Sequence, residues 1–373
     1  MQKYYTSLGL MSGTSGDGVD ASIINSNGID QFEVIKDKYY EYDSTIYNRI
    51  HSLKKKIHSL SDINNHSTEI REIERKITLF HAKIIKDLSF EKRKNGLVGF
   101  HGQTVYHNSE EKVSIQLGDG QLLNQLTKNK IIYNFRKNDL LNGGEGAPLS
   151  PLFHQLIATQ QNVNLPTCFL NIGGISNITI IKKPVGSMEI YSKDIGPGNC
   201  LIDEWVRNNC NKKFDNDGKL AAFGKINEII LEQAQELYIN RKNKEKLSFD
   251  TGDFDISFSR GLTLEDGAAT LTELTANIIG DTLSLILKKE TSIKNILICG
   301  GGRKNKLLMK KISKYLTSKV QLKLIDDIGV DGDFVESQAF AFLAIRSIKK
   351  LHISFPNTTN CKVSCSGGEL IDN

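Results

Sequence analysis

Two stretches of the chain spell the same pattern, and that repetition limits the fold more than any other feature. Residues 8–11 form an apolar run, Ser12-Gly13-Thr14-Ser15-Gly16-Asp17-Gly18 is a turn of glycines and hydroxyls, 21–25 is apolar again, and 25–30 turns the chain into a third strand at 31–36. In the middle of the chain 167–172 is apolar and Gly173-Gly174-Ile175-Ser176-Asn177 is the turn. Then 178–182 is a second strand, Pro184-Val185-Gly186-Ser187 turns, and 188–192 is the third. A period this long with two copies excludes a solenoid and predicts a duplicated α/β domain whose glycine turns face each other across a cleft.

The turns suit phosphate. Glycine lets the backbone approach an oxyanion, N–H and hydroxyl groups donate to it, and a carboxylate can hold an accompanying magnesium ion. On that chemistry Gly13, Thr14, Ser15, Gly16, Asp17, Gly18, Val19 and Asp20 form one nucleotide turn, with Asp17 as the metal ligand, and Gly173, Gly174 and Asn177 form the other. One such turn alone reads equally as a hairpin; the repetition favours the phosphate. A third element, Gly300-Gly301-Gly302, ends the apolar run 295–299 and precedes a helix expected from about Asn305. Glycines at the carboxyl end of a strand leave room for the adenosine part of a nucleotide. Neither a Walker motif nor a Rossmann fingerprint is present.

Further motifs follow in one order: His101-Gly102-Gln103-Thr104, Phe135-Arg136, Gly143-Gly144-Glu145-Gly146-Ala147-Pro148, Asn171-Ile172-Gly173-Gly174, Asp194-Ile195-Gly196-Pro197-Gly198-Asn199, Cys299-Gly300-Gly301-Gly302 and Glu336-Ser337-Gln338-Ala339. Together with the first turn, this set resembles the anhydro-N-acetylmuramic acid kinases of the acetate and sugar kinase, Hsp70 and actin superfamily. The resemblance implies two actin-like (RNase H-like) domains with mixed sheets flanked by helices and a nucleotide cleft between them. It implies ATP and Mg2+ as cofactors, a small sugar substrate and a homodimer. The implied reaction opens 1,6-anhydro-N-acetylmuramic acid with water and phosphorylates O6, as part of peptidoglycan recycling. A kinase acting on another sugar or acid, and an inactive nucleotide-binding sensor, are the alternatives. A domain of 1–136 plus 352–373 and another of 137–351 are expected.

Site residues follow from the same likeness. Asp194, expected to end the third strand of the second repeat, is an ordinary turn aspartate when read alone; the resemblance makes it the general base. Glu336, at the start of an apolar helix, would complement the helix dipole, and the resemblance makes it a second catalytic carboxylate. His101, Gln103 and Thr104, expected just after a buried strand, together with Arg136, Gly144 and Glu145, would hold the sugar. Gly196, Gly198, Asn199 and Asn305 would complete the nucleotide site, with Asn199 also capping a helix. Three positions depart from the family pattern: Gly16 stands where a larger apolar residue is common, Asn134 for an aspartate, and Glu145 for a glutamine. The first should loosen the turn; the other two bear on the sugar.

At 373 residues, 39% hydrophobic and 24% charged, the chain is long enough for two cores and ordinary for a globular protein. Its net charge of +5 is spread over many lysines, which suits anionic substrates better than nucleic acid, and no nucleic acid partner is expected. No signal peptide or membrane span is visible, so a cytoplasmic enzyme is expected. None of the six cysteines forms a Cys-x-x-Cys pair, and free thiols are expected.

Apolar residues at helical spacing from Ile70 to Leu88 predict a long helix before a buried strand at 97–100. Further helices are expected at 120–127, 151–159, 199–208, 226–239, 268–288, 305–316 and 335–348, and strands at 113–117, 130–134 and 321–324.

Overall fold

The computed structural model describes residues 3–90, 96–187, 189–239, 248–317 and 319–372. The chain divides into two compact units. The first is Met1–Val163 with Lys183–Tyr191 and Asp333–Asn373; the second is Asn164–Lys182 with Ser192–Gly332.

The first unit is built on a seven-stranded sheet. Its strands are β1 (Tyr5–Ser12), β2 (Gly18–Ser26), β3 (Phe32–Glu41), β4 (Leu97–Asn108), β5 (Val113–Leu117), β6 (Lys130–Tyr133) and a short strand Glu369–Ile371. The central order is β3-β2-β1-β4-β6, the short strand lies beyond β6, and β5 pairs with β4. β1, β2 and β3 form an antiparallel meander, whereas β4 and β6 join in parallel. A parallel neighbour requires a crossover, and the helices Ser44–Lys54 and Ser67–Asp87 lie between β3 and β4. The second of these buries Ile73, Ile77, Ile84 and Ile85, one stripe of the predicted amphipathic helix, in the core with Leu8, Leu10 and Phe100.

The second unit repeats the order in five strands. β7 (Thr167–Ile172), β8 (Ile175–Ile181), β9 (Ile190–Pro197), β10 (Asn295–Cys299) and β11 (Gln321–Leu324) run β9-β8-β7-β10-β11. β7 and β8 are antiparallel, and β10 is parallel to both β7 and β11. The crossover into β10 includes the 26-residue helix Leu264–Lys289. One strand order occurring twice is the actin-like, mixed-sheet architecture expected of the duplication.

The expected domain boundaries differ from the two compact units in three segments, 137–163, 183–191 and 333–351, all of which fall in the first unit. Helix Val335–Ile348, expected in the second domain, lies on the first sheet. Side chains at Gly9 of β1 and Gly99 of β4 would run into the Ser337 and Phe340 carbonyls, so glycine is what lets this helix approach so closely, and Ser22 Oγ meets Ser337 Oγ at 2.6 Å. Helix Pro151–Gln160 also belongs to the first unit. Gln160 exchanges two hydrogen bonds with the Phe32 backbone at 2.7 and 3.0 Å, and Gln155 Nε2 donates to the carbonyls of Lys183, Pro184 and Ser187.

Helices Gly120–Thr127 and Val335–Ile348 and strands Val113–Leu117 and Gln321–Leu324 match the expected limits. Of the expected third strand at 188–192, Met188 lies outside the described residues; the observed strand starts at Ile190 and runs on to Pro197. No helix among the described residues is long and apolar enough to cross a membrane, and all six cysteines are free thiols.

Candidate active site

β1 and β4 run in parallel, so the first glycine turn and the His101–Thr104 segment emerge at the same sheet end, with Ser12 opposite Gln103. The turn proper is Gly13–Asp17. Gly18, Val19 and Asp20 already belong to β2, and Val19 is a core side chain that can offer a ligand only its backbone. The Gly16 N–H donates to the Gly13 carbonyl at 3.1 Å, and Gly16 has φ +64°, a conformation that a larger residue would adopt only under strain. The departure at Gly16 therefore relaxes the turn.

The turn is held from several sides. Buried Gln103 donates through Nε2 to the Gly13 carbonyl at 2.9 Å, and its Oε1 accepts from Ser12 Oγ at 2.6 Å. Lys54 Nζ donates to the Thr14 carbonyl at 2.7 Å, and the Tyr42 N–H donates to the Asp17 carbonyl at 2.9 Å. Ser15 Oγ donates to Asp17 Oδ1 at 2.6 Å. Burial pushes the Tyr39 phenol up, and the charges of Asp17 and Asp20 push it further, so both carboxylates act on one half-buried spot. Such hard oxygen donors beside a glycine turn suit Mg2+, which takes one or two carboxylates and keeps several waters.

β4 runs to Asn108, so His101, Gln103 and Thr104 lie within the strand. At His101 the register slips: Leu10 pairs with Phe100 but Met11 with Gly102. A bulge of this kind re-aims a side chain. The buried His101 ring packs tilted against Phe340, centroids 4.6 Å apart, with Nδ1 2.8 Å from the Gly102 carbonyl and Nε2 2.9 Å from Arg136 Nη2. Both contacts are satisfied by one neutral tautomer, protonated on Nδ1. Burial, then the Arg136 charge, holds the imidazole well below its usual pKa, which keeps it neutral. Arg136 Nη1 also donates to the Gly146 carbonyl at 2.7 Å, tying the guanidinium to the Gly144–Gly146 loop, while the Glu145 N–H donates to the Thr359 carbonyl at 2.7 Å. Thr104 Oγ1 accepts from Gln116 Nε2 at 3.3 Å. Glu336 stands half-buried in the first turn of helix Val335–Ile348.

In the second unit β7 and β10 end side by side, Asn171 opposite Cys299, and each passes directly into glycines. The Gly173-Gly174 turn is closed by backbone donors: Asn199 N–H donates to the Gly173 carbonyl, and Gly198 and Cys200 N–H to the Gly174 carbonyl, at 2.8, 2.8 and 3.1 Å. Asn199 stands before helix Cys200–Asn209, but its side chain makes no cap bond, contrary to expectation; the backbone contact fixes the helix start. Asn177 Oδ1 is buried without a hydrogen-bond partner.

Asp194 is 8% exposed and lies within β9, three residues before its end, so the expected strand end is corrected. Its Oδ2 accepts from the Phe249 N–H at 2.8 Å. Gly300 has φ +80° and sits against Asn171 and Ile172, where a Cβ would collide. Gly301 and Gly302 continue into a 3-10 turn, and Asn305 caps helix Lys306–Ser313 by accepting from the Leu308 N–H at 3.0 Å. Buried Arg303 pairs with both Asp326 oxygens at 2.8 and 2.9 Å and donates to the Gly300 carbonyl at 3.1 Å. That guanidinium holds the Asp326 carboxyl below the usual range.

The family model described as anhydro-N-acetylmuramic acid kinase matches residues 4–372. The chain belongs to that family. Curated kinases of this family in Pelagibacter ubique and Rhizobium etli are 53% and 36% identical, covering 100% of both chains and 98% of both chains respectively. Among solved structures, component A of (R)-2-hydroxyglutaryl-CoA dehydratase from Acidaminococcus fermentans aligns over 93% of this chain and all of its own, with a TM-score of 0.42 and 11% identity.

Within this anhydro-N-acetylmuramic acid kinase fold, sequence reasoning missed the groups that hold the candidate residues within each unit: Lys54 in the first, and Phe249 and the Arg303–Asp326 pair in the second. Arg303 directly follows the glycine triplet, and that adjacency was the one available signal. Phe249 acts through its backbone, which leaves no trace in residue type. Gln103 was expected at the sugar, but here its amide serves the first turn.

Proposed function

We propose that the protein is a kinase that converts 1,6-anhydro-N-acetylmuramic acid, ATP and water to N-acetylmuramic acid 6-phosphate and ADP. The observation that carries this reading is the buried Asp194 carboxylate, oriented by the Phe249 N–H on a strand that leads into Gly196–Asn199. O6 of the substrate is tied to C1, so it becomes a phosphoryl acceptor only once the bridge opens. Asp194 takes a proton from water, the water oxygen bonds to C1, the C1–O6 bond breaks, and O6 attacks the γ-phosphorus of ATP with ADP as the leaving group. Arg136, fixed by His101 and Gly146, meets the sugar carboxylate through its fork, and Glu336 and Glu145 bind sugar hydroxyls. The turns at Gly13–Asp17, Gly173–Asn177 and Gly300–Gly302 donate to the nucleotide. Asp17 would hold Mg2+, which offsets phosphate charge.

This reading also includes a cytoplasmic homodimer, for which light scattering should give twice 41.6 kDa. ADP release is compared with the anhydro-sugar, with a free sugar and with no sugar, in 18O water. Release only with the anhydro-sugar, with label at C1 of the product, supports the reaction. Label in the phosphate, or equal release with a free sugar, would overturn it.

A further inference from the structure

Beneath the Gly144–Gly146 loop, three metal-ligating side chains converge that the proposed reaction does not use. A carboxylate oxygen of Asp139 and the thiol sulfurs of Cys361 and Cys365 all lie within 4.8 Å of one another, and all three residues are buried. Hydrogen bonds frame them on several sides. Asp139 Oδ2 accepts from the Gly146 N–H and Oδ1 from Thr359 Oγ1, both at 2.6 Å. Next to Cys361, the Lys362 N–H donates to the Asn142 carbonyl at 3.1 Å; Cys365 exchanges backbone hydrogen bonds with Ser354 at 3.1 and 3.2 Å. Ser354 Oγ is fully buried beside the same Asp139 carboxyl and Cys365 thiol, which adds a fourth polar group to the cluster.

We infer that Asp139, Cys361 and Cys365 form a site for a thiophilic divalent cation of the zinc class, with the fourth position taken by a water that Ser354 Oγ contacts. Zinc–sulfur bonds of about 2.3 Å and zinc–oxygen bonds of about 2.0–2.2 Å put tetrahedral donors about 3.4–3.8 Å apart, so the cluster needs to contract by at most about 1.4 Å. Two thiolates and a carboxylate select against Mg2+ and Ca2+, which prefer oxygen donors. Binding releases the thiol protons to solvent. Lys362 and Val363, between the cysteines, are exposed and offer the entry path.

The full-length, reduced, chelator-stripped protein is titrated with Co2+ and then with Zn2+ against a chromophoric chelator. One equivalent should bind, with the thiolate charge-transfer band and visible d–d bands of tetrahedral cobalt. Cys361→Ser or Cys365→Ser should weaken binding about 100-fold or more, whereas Cys200→Ser and Cys210→Ser should leave it intact. Because the wild-type cobalt spectrum needs no variant, poor folding of a substitution cannot hide the answer. Absence of tetrahedral cobalt, binding that ignores Cys361 and Cys365, or a Cys361–Cys365 disulfide that excludes the metal would each overturn the assignment.

Discussion

The two glycine turns occupy the same place in two copies of one strand order, yet they are held in opposite ways. Between β1 and β2 the turn spans Gly13–Asp17 and is braced by side chains, Gln103, Ser12 and Lys54. Between β7 and β8 only Gly173 and Gly174 intervene, and three backbone N–H groups of the next loop close the turn. The longer turn can present hydroxyls and carboxylates of its own; the shorter one can offer little except backbone. Duplication of a fold therefore preserved the position of the glycine turn and left its chemistry free to diverge. The histidines divide in the same manner: all eight fall in segments of the first unit.

The largest expected effect separates the units by chemistry. Asp194→Asn keeps an oxygen for the Phe249 N–H but cannot accept a proton, so turnover should fall by about 10²–10⁴-fold, the usual contribution of a general base, while ATP still binds. Stopped assays with nucleotide-binding controls read this, and an active asparagine variant would remove the second unit from the chemistry. In the first turn, Asp17→Asn should lower turnover by about 100-fold, with partial recovery at high Mg2+. A flat magnesium titration at wild-type rate would reduce Asp17 to a hairpin residue.

The contrast between bracing by side chains and by backbone predicts unequal losses of stability. Gln103→Ala removes three side-chain hydrogen bonds, to Ser12, Gly13 and Thr104, and should destabilise by about 2 kcal/mol in denaturant melts, whereas Asn199→Ala, whose side chain makes no cap bond, should change stability by less than about 0.5 kcal/mol. Equal effects would erase the distinction. The smallest effect concerns pH. Burial lowers His81 to about 4 and His154 to about 3, and His101 is also held low. The unfolded chain protonates these imidazoles near 6.5 while the folded chain does not, so their contribution is complete above about pH 6.5 and declines as pH falls toward 4. Each histidine supplies at most ~1.4 kcal/mol per pH unit. Peptide-resolved hydrogen exchange at pH 7.5 and 5.5, corrected for intrinsic rate, should show protection falling in the first unit and holding in the second; a uniform decline would refute this.

The duplication, both meanders and several helix limits were legible in the sequence, because strand alternation, helical spacing and turn glycines are local signals. So were the ligand-type residues, since glycine, hydroxyl and carboxylate chemistry is readable from residue type. The tertiary structure alone decided that helix Val335–Ile348 lies on the first sheet through Gly9 and Gly99, that a bulge turns His101 toward Arg136, and that Asp194 sits inside β9 against the Phe249 N–H. These depend on contacts between residues tens to hundreds of positions apart, and backbone donors among them carry no mark in the side-chain sequence.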